Sequence, residues 1–362
     1  MMVLIRRMGI VAALAGTLAF ALPSGFAAAQ QQKVVVQIGS GDFAEAMKKA
    51  FVEPFEKETG IKVVTVPEFM SPAKLKLMVE NKSGEIDIVL MAWLHAISSN
   101  ESGLLEKIDY SVFDKDELAA VDAVARQPYG VGAYYYSQVI AYNTKKYSAD
   151  NHPKTWTEFW DVTKFPGTRS FKSGVQGEGG FEEALLADGV AMDKLYPLDI
   201  DRAYRSLEKL KPHVKKWWRF GAEGQQIFAD SAADLGMIYN GRAENLRAKG
   251  APVAFDWNEG KLLLDFMLIP KGAHNVANAQ KFIAFATRAK PQSVLGAMMF
   301  YGPTNKNAFK YLDEKTGKSL STHPNNVNRQ FVRNDKWYAE KGPDGRTNLE
   351  TLIEKWNRFT IN

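Results

Sequence analysis

Apolar positions in this chain alternate between two spacings. Lys33–Ile38 is a β-branched run ending in Gly39-Ser40-Gly41, after which Phe43, Met47, Phe51 and Phe55 recur at helical intervals. A strand-like run closed by glycine and followed by helical spacing predicts strand, turn and helix. The same reading gives strands at Ile61–Val66 and Asp87–Leu90, with a helix at Ala73–Glu80 between them. Val139–Tyr142 reads as a strand leaving this first unit, and a second series begins at Thr155. Helical spacing covers Thr155–Trp160, Phe181–Ala187, Ile200–Leu210, Ala222–Phe228, Gly241–Ala248, Ala277–Thr287 and Pro291–Met299. Apolar strands are predicted at Asp234–Tyr239 and at Leu262–Ile269, the latter closed by Pro270. A polar tail is expected after Gly302-Pro303, within which Ser319–Asn328 reads as a solvated loop. Strands alternating with helices argue for an α/β fold with mainly parallel sheets covered on both faces. Two such units, joined by more than one crossing strand, account for the sequence.

The N-terminus follows a different pattern. Arg6 and Arg7 precede an apolar run from Met8 to Leu22, and small residues ending in Ala27-Ala28-Ala29 follow. A basic head, a short apolar stretch and an Ala-x-Ala signature predict a secretory signal peptide over residues 1–29, placing the mature chain outside the cytoplasm. No later apolar run approaches the roughly 20 residues of a membrane helix, so no membrane insertion is expected. Loss of Arg6 and Arg7 lowers the formal charge of +5 by 2, to +3, too weak and dispersed to argue for nucleic acid. Cysteine is absent, which excludes disulfides and thiolate chemistry. An export signal without either anchor or disulfides suits a bacterial periplasm.

Enzyme signatures are missing. There is no Gly-x-Ser-x-Gly elbow, no phosphate-loop motif and no His-Glu-x-x-His helix. His95, His152, His213, His274 and His323 are scattered singly, and Glu182-Glu183 reads as a solvated pair on a helix face. The glycine turns are more informative. Gly39-Ser40-Gly41 and Gly177-Glu178-Gly179-Gly180 each precede a helix, so backbone N–H groups and a helix N-terminus would face the strand ends where α/β proteins bind ligands. A tight turn needing glycine geometry explains either motif equally well.

Several segments carry a family resemblance. Lys154–Phe171 (KTWTEFWDVTKFPGTRSF), Ala184–Val190 (ALLADGV), Leu195–Asp199 (LYPLD), Met237–Arg242 (MIYNGR), Ile269–Gly272 (IPKG) and Phe51–Val63 (FVEPFEKETGIKV) occur in matching order between about Lys33 and Phe309. Together they resemble bacterial periplasmic solute-binding proteins of the spermidine/putrescine-binding type, components of ABC importers. The resemblance implies a two-lobed type II periplasmic binding protein fold that closes on its ligand like a hinged trap. Residues 30–140 plus 264–308 would form lobe 1, and residues 141–263 plus 309–362 lobe 2. Partners would be a small amine or amino-acid-like solute and an inner-membrane ABC permease. No cofactor, metal or catalytic residue is implied, and a monomer is expected.

Carried over by position, Asp265 falls where polyamine binders hold an ammonium group. Trp93, Phe43 and Tyr239 fall at aromatic cleft positions, and Tyr135 of the Tyr134-Tyr136 run could add a ring. Ser40 and Gly41 belong to the first glycine turn. The departures are equally specific. The acidic loop before the second lobe's helix reads Gln176-Gly177-Glu178, with Glu178 the one acid left to compensate, and Leu263 replaces a cleft tryptophan. Arg242 and Arg219 add cations, although Arg242 could instead pair with Glu244 or Asp234, and Trp217-Trp218 suits packing. One aspartate plus a guanidinium fits an ω-amino acid such as 4-aminobutyrate better than a diamine. Organic-anion binding, ferric-iron binding through the tyrosine run and a secreted hydrolase are the alternatives.

Overall fold

The computed structural model describes residues 32–361. The signal-peptide expectation falls outside them. Ten strands are present among the described residues: β1 (Lys33–Gln37), β2 (Lys62–Val66), β3 (Val89–Ala92), β4 (Arg126–Gln127), β5 (Gly130–Asn143), β6 (Arg169–Lys172), β7 (Val214–Trp218), β8 (Leu235–Tyr239), β9 (Val253–Leu268) and β10 (Gln330–Val332). β1 and β2 pair in parallel, and Ile88 bridges to Val36 on the other side of β1. β6 lies parallel to both β7 and β8. Among the described residues no helix is long and apolar enough to cross a membrane.

Two long strands tie these parts together. β5 and β9 run antiparallel, from Val131 opposite Met267 to Asn143 opposite Val253. The sheet order is β10-β9-β5-β8-β6-β7, with β3 on the free end of β9. Tyr134, Tyr136, Leu263 and Met267 pack into one apolar core with Phe43, Phe51, Phe55 and Tyr301. Farther along β5, Ile140 and Tyr142 pack into a second core with Trp156, Phe171, Trp218 and Trp356. The chain therefore has two α/β lobes, each with its own core, and both crossing strands pass between them.

Several elements extend or replace the sequence expectation. β5 spans 14 residues, where only Val139–Tyr142 is legible as a strand. β9 begins at Val253, well before Leu262, and includes the polar stretch Asp256–Lys261. The loop expected at Ser319–Asn328 buries Leu320, Ser321 and Asn326, because Asn326 Nδ2 donates to the Lys318 and Leu320 carbonyls. The polar tail ends in a helix, Asn348–Ile361, that buries Leu352, Trp356 and Phe359 in the second core. Glu182 and Glu183 are not solvated: both are buried and accept from Lys261 Nζ at 2.9 Å.

Candidate functional site

A cavity of about 190 Å³ lies where segments of both lobes meet. Its lining comes largely from the C-terminal ends of strands. Phe43 follows β1, Phe69 and Met70 follow β2, and Ala92 ends β3 with His95 just beyond. Gln176 and Glu178 follow β6, Arg219, Phe220 and Gly221 follow β7, and Tyr239 ends β8 with Arg242 just beyond. Strand ends are where α/β sheets leave backbone groups and loops free for ligands. The crossing strands supply the floor: Tyr134 and Tyr136 from β5, and Asp265 from β9.

Asp265 is ringed by aromatic side chains. Tyr134 O–H donates to its Oδ2 at 2.9 Å, while its Oδ1 is buried without a hydrogen-bond partner. Tyr134 stacks on Tyr301 at 5.1 Å, and Phe43 meets Tyr134 edge-on at 5.5 Å. Tyr136 meets Tyr239 edge-on at 5.2 Å. Burial pushes the Asp265 carboxyl up to about 7, helped by the nearby Glu178 charge and opposed by the Tyr134 and Tyr136 hydroxyls. Burial also holds the Tyr134 and Tyr136 hydroxyls well above their ordinary range, reinforced by Asp265. At neutral pH both are therefore phenols, suited to hydrogen bonding and to presenting ring faces. Among the described residues no group of three or more His, Asp or Glu side chains could hold a metal.

The opposite wall is cationic. Arg242 Nη1 donates to Gln225 Oε1 at 3.0 Å, and its buried Nε–H has no partner. Neither structural partner suggested by the sequence is taken, since Glu244 pairs with Arg247 and Asp234 with Lys146. Local sequence explains the placement. Asn240 is buried, accepts from Ser137 N and donates to the Phe300 carbonyl, while a Cβ on Gly241 would lie 2.1 Å from the Met299 carbonyl. Asn240-Gly241 thus anchors this turn so that Tyr239 and Arg242 on either side reach the cavity. Burial drives the His95 imidazole down to about 4, so it is neutral at pH 7.

The structure brings together Asp265, Tyr239, Arg242, Phe43, Gln176, Glu178 and also Arg219. Four expected residues lie elsewhere. Trp93 is buried behind the crossing strands, stacked on Phe266 at 5.7 Å, with its indole N–H donating to Tyr129. The strand's alternation sends Tyr135 to that same far side, opposite in direction to Tyr134 and Tyr136. Ser40 and Gly41 are exposed and do not line the cavity, and Ser40 makes no side-chain cap. A Cβ on Gly39 would meet Phe69 at 2.5 Å, so the Phe43 and Phe69 rings occupy the space over this turn. Trp218 packs in the second core, as the packing reading of Trp217-Trp218 expects. Sequence reasoning missed Tyr301, Phe69, Phe220 and His95 as cavity residues, and from the Tyr134-Tyr136 run it favoured Tyr135 where Tyr134 and Tyr136 line the cavity.

Two α/β lobes, a pair of crossing strands and one polar, ring-lined cavity at the strand ends define a solute-binding protein of the two-lobed type II class. The chain belongs to the bacterial extracellular solute-binding protein family, whose model matches residues 50–325. It is 31% identical over 335 residues to the gamma-aminobutyric acid-binding protein of Pseudomonas aeruginosa, covering 91% of this chain and 92% of that one. It is 25% identical over 309 residues to the spermidine/putrescine-binding periplasmic protein of Salmonella typhimurium, covering 83% and 86%. A solved GABA receptor structure superimposes with a TM-score of 0.80 at 36% identity, covering 91% of this chain and 97% of that one. The resemblance read from the MIYNGR and related segments is therefore a true family relationship.

Proposed function

We propose that this chain captures a small ω-amino acid, with 4-aminobutyrate as the leading candidate, in the periplasm and delivers it to an inner-membrane ABC permease. Residues 1–29 would direct export. The observation that carries this reading is a matched pair of unmet buried groups in one cavity, Asp265 Oδ1 and Arg242 Nε. An unmet buried polar group costs about 1–3 kcal/mol, and a ligand that meets it recovers that cost on binding. A protonated amine satisfies Asp265 and lies over the Tyr134, Tyr136 and Tyr239 rings, each such contact contributing about 0.5–2 kcal/mol. A carboxylate at the far end of the same solute satisfies the guanidinium. The gamma-aminobutyric acid-binding relative supports the same choice of solute.

Binding would close residues 30–140 plus 264–308 against residues 141–263 plus 309–362 about β5 and β9. Titration calorimetry tests the reading. 4-Aminobutyrate should bind, Asp265→Asn should weaken it at least tenfold, and Arg242→Gln should weaken it while sparing simple monoamines. Retained affinity in Asp265→Asn would remove that residue from the site, and absence of any amine binding would sink the proposal.

A further inference from the structure

The cavity contains two acids, and only one is free. Glu178 sits on the loop between β6 and the helix Phe181–Ala187, where Gly177 adopts a left-handed φ of 74° and turns the chain. Its Oε2 lies 3.6 Å from Lys172 Nζ and its Oε1 3.7 Å from Arg333 Nη1. Both cations come from behind the cavity wall, and their side chains are only 1% and 0% exposed, so water does not screen them. Lys172 Nζ is fixed further by donating to the Arg219 carbonyl at 2.9 Å and to Gln176 Oε1 at 3.3 Å. Arg333 Nε donates to Asp335 Oδ1 at 2.6 Å.

We infer that Lys172 and Arg333 determine specificity: by clamping Glu178 from behind, they remove the acid that would otherwise receive a second ammonium group, restricting the site to solutes with one positive nitrogen. The inference rests on the amine reading above and concerns the other end of the same solute. Lys172, Arg333, Glu178 and Asp335 form a balanced set of two cations and two acids, so the Glu178 charge is largely countered by its own buried cations before a ligand arrives. With Glu178 countered in this way, Arg242 and Arg219 are the cations of the cavity lining that no acid of the lining offsets. A diamine would place its second ammonium against those cations, while a carboxylate would be welcomed by them. The ionisation of the two acids follows the same division. Burial opposes charge on Glu178, but Lys172 and Arg333 outweigh it and hold the carboxyl below its ordinary range, whereas Asp265 lacks such a partner and is pushed up to about 7.

Calorimetric titrations with 4-aminobutyrate and putrescine test this. The native protein should prefer 4-aminobutyrate by at least about a hundredfold. Lys172→Met should shrink that preference at least thirtyfold, mainly through tighter putrescine binding, because Glu178 is then released. Lys172→Gln, which keeps an N–H donor for the Arg219 carbonyl, carries the same expectation if the methionine variant fails to fold. In Lys172→Met combined with Glu178→Gln the putrescine gain should vanish. Equal weakening of both ligands, a gain that persists in the double variant, or native putrescine affinity within tenfold of 4-aminobutyrate would each overturn the inference. These outcomes differ from failure of the amine reading, in which the native protein binds neither ligand and Asp265→Asn changes nothing.

Discussion

Burial and the amine-binding role proposed for Asp265 pull it in opposite directions. Its carboxyl is raised to about 7 by burial and by Glu178, and an ammonium ligand pairs only with the ionised form. Glu178, Tyr134, Tyr136, Tyr239, Tyr301, Arg242 and Arg333 are the titratable or charged groups acting on it or on its ring neighbours. Affinity for 4-aminobutyrate should therefore fall about tenfold per pH unit below pH 7 and level off above it, with proton release on binding visible in buffers of different ionisation heat. A flat profile from pH 5.5 to 8.5 would contradict this. The stability sign is the reverse. An acid whose folded value lies above its unfolded 3.8 contributes stability that is lost as pH rises through about 7. Asp265→Asn should consequently melt several degrees higher than the native protein at pH 8, and the gap should narrow towards pH 5.5. The sequence held Asp265 plainly, through its position in LLLDFMLIP, but not its neighbours. Choosing Tyr135 over Tyr134 and Tyr136 requires the phase of β5, which three consecutive tyrosines conceal. Trp93 begins a helix, Trp93–Glu101, so His95 two residues on points about 200° away from it and into the cavity.

At the scale of the element, β9 gains its position from a polar residue as much as from its leucines. Lys261 is buried, and its ammonium donates to Glu182, Glu183 and the Gly179 carbonyl, tying the crossing strand to the helix Phe181–Ala187. Burial opposes its charge, but the two carboxylates outweigh that and keep it protonated, while burial and Glu182 push Glu183 up to about 7. Removing one member of such a set leaves an uncompensated buried charge, so Lys261→Met should cost about 3–5 kcal/mol in urea unfolding at pH 8. A cost below about 1 kcal/mol would show that the set adds little to the fold. This residue also explains an unread element. Alternation fails across Asp256–Lys261 because Glu259 has a left-handed φ of 54°, its carboxylate accepts from Trp156 N, and Lys261 points inward. The pattern was clear where one face is buried, as in Ile200–Leu210, whose range matches, and the range of Phe181–Ala187 also matches although burial there takes in Glu182 and Glu183. In Asn348–Ile361 the signal was also present, at Leu349, Leu352, Ile353, Trp356 and Phe359, but the charges interleaved at Glu350, Glu354, Lys355 and Arg358 gave it the look of a polar tail.

For the whole molecule, the question is what holds the two lobes together over the cavity. Among the described residues one exposed ion pair reaches across: Asp42, on the helix Gly41–Met47, accepts from Lys249 Nζ at 2.9 Å. With side chains 49% and 64% exposed, this pair has the character of surface ion pairs, worth about 0–1 kcal/mol and weakened by salt. The cavity itself offers more: two unmet buried groups of opposite charge and a set of rings, which the proposed zwitterion would satisfy together. On the proposed function, closure would be driven by the ligand's two ends and only trimmed by the rim. Small-angle scattering distinguishes the contributions. 4-Aminobutyrate should reduce the radius of gyration of the native protein and of Lys249→Ala, with the alanine variant losing no more than about fivefold in affinity. Asp265→Asn should remain expanded at the same ligand concentration. If Lys249→Ala instead abolished compaction while Asp265→Asn compacted normally, the rim pair and not the cavity would be the element that closes the protein.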